Sequence, residues 1–515
     1  MTSTATNTDG TEVRVAPTSP KLVLWWRSRP PTFRLILRWA IIAICTGVAY
    51  YDSVAVLVSS TRRQGLVGFV WTVPLVAILV ATGVSRRRRG ELPIHDRQTD
   101  IIVGTMGLVL AVLVEWVLLP RFNLFFYLLR LDLVAMWLFV LSSAVLLFGL
   151  RPVSRFGWVW AMLFMVFPLP YYLLVVILGG GRFASGAATL VVSGVGTGIA
   201  VGRTFRRGFI GSLVSWLIGL AVLSAMAAQL PHAPLLAYQL IPALTAIAGA
   251  SIFMFFSGRR GMPKQIFDRA VAPVASNQVW GAAILVVAAA LLLAFIPLPP
   301  QANSTIISRS AATQLVIGRP LTTPPDWRTT DVRTFPWVHR FYGDNSVLVR
   351  QQMTAATGDT RFDKLGRPRT LVVYSLVSRR PFAFDVYPAR VLYGLSQARM
   401  SQPRMVDLGY GVTGQLQSIV DEKRLITWTS MRFAWGDSRV GQRISIFAVD
   451  NHDPDARFPE PSTTLLAAMG TLFTMLIRGN AVLDERNSNF KDATLLTEFG
   501  RKLVAAQFGT AAKIP

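Results

Sequence analysis

The stretch RLDLVAMWLFVLSSAVLLFGLRP, from Arg130 to Pro152, decides the fold class of this chain. It holds about twenty apolar residues, the length that an α-helix needs to cross the hydrocarbon core of a bilayer. Arg130 and Asp132 stand at its start, where charged side chains are costly unless they meet a partner or water. The stretch predicts a membrane-spanning helix and raises the question of which membrane face its charged end occupies.

The composition of the whole chain supports a polytopic α-helical membrane protein. Hydrophobic residues make up 52% of the 515 residues and charged residues only 15%, which excludes an ordinary soluble protein. About nine apolar runs approach the spanning length, so we expect about nine membrane spans. The runs lie at 36–59, 66–84, 101–120, 131–149, 157–178, 184–202, 209–228, 236–257 and 278–298.

Basic residues are distributed unevenly among the connections of these runs. The N-terminal segment and every second connection after it hold nineteen of them, whereas the other connections hold five. By the positive-inside rule, this bias predicts a cytoplasmic N-terminus and, after nine spans, an extracytoplasmic C-terminal region. The formal net charge of +25 is then explained by topology and by contact with a bilayer of anionic lipids. It does not indicate nucleic-acid binding.

A proline-rich segment, IPLPPQAN at 296–303, ends the apolar part of the chain because proline cannot continue a helix. We therefore expect a disordered cytoplasmic N-terminus at 1–33 and a transmembrane helical domain at 34–300. The remainder, 301–515, is expected to be an extracytoplasmic α+β domain, large enough to form its own core.

Residue patterns within this C-terminal region predict an antiparallel sheet followed by two helices. Runs rich in β-branched and aromatic residues predict strands, with a turn at Gly436-Asp437, and apolar residues at helical spacing predict the helices. The predicted strands lie at 346–353, 369–377 and within 424–449, and the helices at 462–479 and 487–508.

Ionisable residues at the predicted outer ends of the helices form the candidate site. Glu115 lies in the outer third of the third run, Asp132 begins the fourth, and Arg182 and His232 lie in outer connections. Ionisable groups at membrane depth usually face a cavity or a partner. We therefore predict that these four residues cluster beneath the outer domain and are the candidates for catalysis.

Each candidate also has a structural interpretation. Arg121 and Arg130 are long enough to reach lipid headgroups, and Asp132 is placed to cap the fourth helix. A structural ion pair with an arginine would explain the position of Glu115 as well as a catalytic role would. His232 is a single histidine in a loop. Structural and functional roles both stay open.

The sequence predicts no cofactor and no metal site. His339 and His452 are isolated in the sequence, and the aspartates within 450–455 lack the spacing of a calcium-binding loop. The one cysteine, Cys45, lies in the first apolar run, where we expect it to pack as a small apolar side chain.

Three segments resemble the exosortase/archaeosortase family of polytopic envelope proteins. They are the stretch 130–152, FMVFPLPYYLL at 164–174 and TLVVSGVGTGIAVGR at 189–203. In that family a similar span with a charged start precedes a span that ends in a Pro-x-Pro turn. Independently of the resemblance, Pro168 and Pro170 predict a kink or a re-entrant feature. The C-terminal region is similar in layout to the exosortase-associated domain.

The resemblance, which covers roughly 100–260, implies a transpeptidase-like protease at the outer membrane face, with a cysteine nucleophile, an arginine and a histidine. Cys45 does not stand at the family's position, and 184–260 contains no cysteine. The chain is then a non-catalytic relative, or it uses another nucleophile, for which the serines of the seventh run are available.

Three functions remain as hypotheses. The preferred one is an envelope protein that assists export or assembly of a surface polymer or protein, with a partner bound at the outer domain. The second is an active membrane-embedded processing peptidase. The third is a transporter or lipid-binding protein in which Glu115, Asp132 and the Pro168-Pro170 break line a pathway.

Overall fold

The computed structural model of the protein describes residues 31–85, 97–202, 204–258, 279–299, 307–308, 315–395, 398–422, 425–437, 439–453, 456–461 and 489–511. The predicted disorder at 1–30 and the predicted helix at 462–479 lie outside the described residues. The first helix begins at Pro31, so the last residues of the segment predicted to be disordered are helical.

The N-terminal part of the chain is a bundle of helices. In chain order they are α1 (Pro31–Ala49), α2 (Tyr51–Arg62), α3 (Leu66–Ser85), α4 (Arg97–Arg121), α5 (Leu131–Phe148), α6 (Gly157–Val166), α7 (Pro168–Ile177), α8 (Gly181–Val201), α9 (Phe205–Gln229), α10 (Leu235–Gly258) and α11 (Val279–Ala294).

The described helices support a membrane-spanning protein, but they do not confirm nine spans. Six of them, α3, α4, α5, α8, α9 and α10, are long and apolar enough to cross a membrane. The number rises to eight if each of two bent pairs, α1–α2 and α6–α7, forms one span. Helix α11, which corresponds to the ninth predicted run, has only 16 residues.

One of the two bends has a cause in the sequence. Helices α6 and α7 meet at 70° where Phe167 adopts an extended conformation before Pro168, as expected for a residue that precedes proline. The predicted kink is therefore confirmed. Helices α1 and α2 meet at 74° at Tyr50, in the middle of a run predicted as continuous.

Helix α8 packs closely among α3, α9 and α10. Its glycines allow this close packing. A methyl group on Gly186 would lie 2.6 Å from Leu223 Cδ1 and 2.7 Å from the carbonyl oxygen of Tyr238. In a membrane, helices associate through close van der Waals packing rather than through the hydrophobic effect, and small residues at the contacts allow that packing. The weak hydropathy of the sixth predicted run thus reflects its close packing among these helices.

The C-terminal part is an antiparallel sheet with a helix on one face. Its elements are β1 (Ile307–Ser308), β2 (Trp327–Phe335), β3 (Val347–Ala355), β4 (Thr370–Ser378), β5 (Arg399–Met400), β6 (Arg404–Asp407), β7 (Thr413–Asp421), β8 (Ile426–Gly436), β9 (Gly441–Val449) and α12 (Ala493–Ala511).

The strand order is β2-β3-β4-β9-β8-β7-β5, with β6 also paired to β7 and the two-residue β1 parallel to β8. The predicted strands correspond to β3, β4, β8 and β9, and the predicted turn joins β8 to β9 through the Gly436–Gly441 pair. Helix α12 confirms the last predicted helix, since Leu496, Phe499 and Leu503 are buried against the sheet.

The sheet has two apolar faces because side chains alternate along each strand. One face packs on α12. On the opposite face, Tyr374, Trp428 and Phe447 belong to the same buried cluster as Phe125 and Tyr171 of the bundle. The sheet domain therefore shares a core with one end of the helical bundle.

A charged network lies at one end of the central strands β4 and β9, near the start of α12. The buried carboxylate of Asp363 lies 2.8 Å from Nδ1 of His452 and accepts hydrogen bonds from the backbone amides of Leu365 and Arg367. Arg369 contacts His452 and donates to Asp492 Oδ1 at 2.9 Å. Burial opposes the charged form of Asp363, but the bonds from His452, the two amides and the Arg367 charge outweigh it. They lower the pKa of Asp363 from 3.8 to about 2.

We expect Asp363 to make stability pH-dependent in strong acid. Because its pKa is lowered in the folded state, its contribution is fully present above 3.8 and is lost as the pH falls to about 2. Between these values the free energy of unfolding of the wild-type chain should fall more steeply than that of Asp363→Asn. Chemical unfolding of both proteins across this pH window measures the difference. Parallel curves would show that the Asp363 carboxylate contributes nothing.

Candidate functional site

The charged start of the fourth predicted span forms a buried ion pair. Arg130 donates from Nε to Asp132 Oδ1 at 2.9 Å and from Nη2 to Asp132 Oδ2 at 2.7 Å. Nη2 also donates to the carbonyl oxygen of Ser53 at 3.1 Å, which ties the pair to α2. Arg130 is 1% exposed and does not extend to lipid headgroups as it would in the snorkelling interpretation. Asp132 caps no backbone amide and instead neutralises Arg130.

The backbone around this pair is strained. A single helical turn, Phe126–Leu129, ends at Arg130, which has a φ of +43° and a ψ of +52°. The left-handed region costs a residue with a side chain about 1–2 kcal/mol. Arg130 Cζ lies 5.3 Å from the centroid of the Phe126 ring. This contact and the bonds to Asp132 and Ser53 hold Arg130 in that conformation.

Glu115 lies beside this ion pair but does not join it. It is 4% exposed, and its Oε2 has no hydrogen-bond partner among the described residues. Arg130 and Asp132 are its electrostatic neighbours, and the Arg130 bonds go to Asp132. Glu115 sits in one turn of π-helix, Val114–Leu118, within α4. Such turns inside α-helices are frequent at functional sites.

A cavity of about 220 Å³ opens next to Glu115 at the bend between α1 and α2. We call it the Glu115 pocket. Tyr50, whose hydroxyl has no hydrogen-bond partner among the described residues, lies at the bend itself. The Tyr51 side chain, 73% exposed, stands at the mouth. The lining residues are Val48, Ala49, Tyr50, Tyr51, Asp52, Ser53, Glu115, Ala294, Ile296 and Leu298.

The surface of the pocket is mostly polar and includes acidic groups, with a few apolar side chains beside them. Glu115 and Asp52 supply two carboxyl groups, and α11 and the residues after it supply Ala294, Ile296 and Leu298. The Tyr50 hydroxyl in the lining and Arg130 Nη1 beside Glu115 are donors that also lack a hydrogen-bond partner among the described residues. The carboxyl groups of the pocket suit the binding of a group that donates hydrogen bonds and carries positive charge.

The other two predicted site residues lie in a second group. Arg182, at the start of α8, donates from Nη1 to the carbonyl oxygen of Pro231 at 2.6 Å. This bond brings it to the loop of His232, which is exposed. The structure thus places Glu115 near Asp132 and Arg182 beside the His232 loop, and no hydrogen bond or ion pair among the described residues links these two pairs. The single four-residue cluster predicted from the sequence is not observed.

The Arg182 group is where the sheet domain docks. Gly180 and Gly181 both have a φ of +77°, and they approach Arg340 and Asp344 of the sheet domain. Nearby, the ring of Tyr127 lies 4.9 Å from that of Phe382, with the planes close to perpendicular. The GGGR motif at 179–182 is therefore a docking loop.

The bend before α7 supports a buried polar network that the sequence did not indicate. Tyr171 donates from its hydroxyl to the carbonyl oxygen of Ser185 at 2.8 Å. Gln239 donates to the Tyr171 hydroxyl at 2.9 Å and to the carbonyl oxygen of Leu66 at 2.7 Å. The network joins α7, α8, α10 and the start of α3, and it satisfies backbone groups inside the bundle.

Sequence reasoning also missed Tyr50 and Asp52. A signal was present, because YYDS at 50–53 is a polar interruption in the first apolar run. Cys45, as expected, is a buried packing residue of the apolar core. Among the described residues, no group of three or more His, Cys, Asp or Glu side chains is arranged to hold a metal.

No family model, curated protein or solved structure matches the chain.

Proposed function

We propose that the chain is an integral envelope protein that binds a membrane amphiphile by its polar headgroup in the Glu115 pocket. It presents this ligand next to an extracytoplasmic sheet domain, and it thereby assists export or assembly of a surface polymer or protein. The N-terminus is cytoplasmic in this proposal, which follows the asymmetry of basic residues between the connections.

The observation that carries the proposal is the unpaired Glu115. A buried carboxyl oxygen that makes no hydrogen bond costs about 1–3 kcal/mol, so a chain rarely retains one for structural reasons. Glu115 is buried, its Oε2 has no partner among the described residues, and it faces a cavity. A ligand that enters the cavity would satisfy this oxygen.

The position of the pocket fits an amphiphile better than a water-soluble ligand. Its mouth is formed at the bend between two apolar helices, and its walls include Val48, Ile296 and Leu298. Val48 is about half exposed on the bundle surface, where lipid chains would lie. A headgroup can enter this pocket while its apolar chain stays in the bilayer.

A processing peptidase has less support in the geometry. A cysteine nucleophile must lie at the outer face beside its base. Cys45 is instead buried among apolar side chains of the bundle. The resemblance to exosortases remains a prediction about ancestry and layout, and under it the chain is a non-catalytic relative.

We expect Glu115→Gln to lose a bound amphiphile. The full chain would be extracted from its membrane in lipid nanodiscs without detergent, and bound lipids would be identified by native mass spectrometry. Removing the charged acceptor from a charge-assisted hydrogen bond costs about 1.5–3 kcal/mol, so retention should fall roughly tenfold to a hundredfold.

Asp100→Asn is the matched control. It removes a carboxylate near the start of the same helix α4, where Asp100 accepts a hydrogen bond from the Leu150 amide at 2.7 Å. Asparagine keeps that acceptor. Equal retention of amphiphiles by wild type, Glu115→Gln and Asp100→Asn would refute the proposed function.

A further inference from the structure

We infer that the ligand of the Glu115 pocket is an amphiphile whose headgroup carries a protonated primary amine. This inference rests on the proposed function and names the class of headgroup that the pocket would select.

The charge of the lining points to a cation. Glu115 and Asp52 are both acidic, and none of the described residues that line the pocket is basic. The nearest guanidinium, that of Arg130, donates from Nε and Nη2 to Asp132 and the Ser53 carbonyl, and its buried Nη1 has no hydrogen-bond partner among the described residues. An anionic headgroup would meet the two carboxyl groups of the lining, whereas an ammonium group would be attracted to both.

The hydrogen-bonding pattern points to a primary amine. An ammonium group has three donors and no acceptor, which complements a pocket with carboxylate acceptors. Glu115 Oε2 has no donor among the described residues. A quaternary ammonium has no N–H group and would leave this oxygen unsatisfied. The exposed ring of Tyr51 at the mouth offers a further contact for a cation.

The size of the pocket fits an organic headgroup better than a bare metal ion. A cavity of about 220 Å³ far exceeds the roughly 10–15 Å³ that holds one water on the same measure. It accommodates an aminoalkyl headgroup, and its wall of Ala294, Ile296 and Leu298 suits the apolar carbons next to the amine. Hard cations prefer six or more oxygen ligands, and the pocket provides two carboxyl groups.

The test uses the full chain in nanodiscs of defined lipids. One sample contains phosphatidylcholine alone, a second adds phosphatidylethanolamine, and a third adds N-acetylated phosphatidylethanolamine, which lacks the ammonium charge. Native mass spectrometry then measures the lipid retained. We expect wild type to retain the free-amine lipid about tenfold more than its acetylated form, and Glu115→Gln to lose this preference.

Two further variants keep the test independent of folding. Asp52 is exposed, so Asp52→Asn leaves the packing intact and should weaken the preference for the amine. Asp100→Asn should keep the preference. Excess soluble ethanolamine should displace little of the lipid, because it lacks the apolar chain.

The outcomes separate this inference from the proposed function. Equal retention of the free-amine and acetylated lipids, or displacement by soluble ethanolamine at the affinity of the lipid, would overturn the amine-amphiphile assignment. If a native amphiphile is nevertheless lost from Glu115→Gln, the proposed function stands and only the headgroup class is wrong. If Glu115→Gln loses neither the native amphiphile nor the preference for the free-amine lipid, both the proposed function and the amine assignment are refuted.

Discussion

Replacing Asp132 by alanine should lower the free energy of unfolding by about 3–5 kcal/mol, because it leaves the buried guanidinium of Arg130 without its counter-ion. The pair is almost fully buried and bidentate. Its hydrogen bonds also offset the cost of the left-handed backbone conformation of Arg130. Thermal or denaturant unfolding of the purified full chain measures the loss.

A surface ion pair provides the control for this prediction. Arg399 Nη2 lies 2.8 Å from Glu422 Oε1, but the Glu422 side chain is 68% exposed. Exposed pairs contribute about 0–1 kcal/mol, so Glu422→Ala should have little effect. If Asp132→Ala costs no more than Glu422→Ala, the pair is solvated and the description of the site is wrong.

Gly180→Ala should weaken docking of the sheet domain on the bundle. Gly180 has a φ of +77° and a ψ of −176°, a region open almost only to glycine, and a side chain there costs about 1–3 kcal/mol. In addition, the new methyl group would lie 2.6 Å from the carbonyl oxygen of Arg340. Because the nearest atoms of Arg340 all belong to its backbone, they cannot rotate away, and the two domains must move apart locally.

Hydrogen exchange of the full chain measures this effect. Amides of the helical turn His339–Tyr342 and of the start of α8 should exchange faster in Gly180→Ala than in wild type. Gly157→Ala is the control, since a methyl group at Gly157 meets no atom within 4 Å and its φ is not positive. Unchanged exchange in Gly180→Ala would show that this loop does not hold the domains together.

Much of the fold was predictable because bilayers impose a strong length requirement on apolar segments. The apolar runs correspond to helices, and the β-branched runs of the C-terminal region correspond to β3, β4, β8 and β9. The number of spans was less predictable. Hydropathy shows that a run is long enough, but it does not show the bend at Tyr50, which divides the first run between two directions.

The site was predictable only in part, because burial and partners depend on tertiary packing. Glu115 and Asp132 were identified by the cost of charge at membrane depth, and they do lie together. Arg182 and His232 were assigned to the same cluster from their expected side of the membrane alone. Their positions were set instead by the docking loop, where Arg182 reaches the Pro231 carbonyl.

The proposed function requires that the Glu115 pocket opens at the outer face and holds an amphiphile. The measurement is the labelling rate of Tyr51→Cys, in a Cys45→Ala background, with a membrane-impermeant thiol reagent on intact cells. Position 51 stands at the mouth of the pocket, and Leu425→Cys, at a residue 90% exposed on the sheet domain, reports the side of that domain. We predict that both cysteines label from outside, and that Glu115→Gln accelerates labelling at position 51 but not at position 425. Labelling of either cysteine only after lysis, or equal rates at position 51 with and without Glu115, would contradict the account.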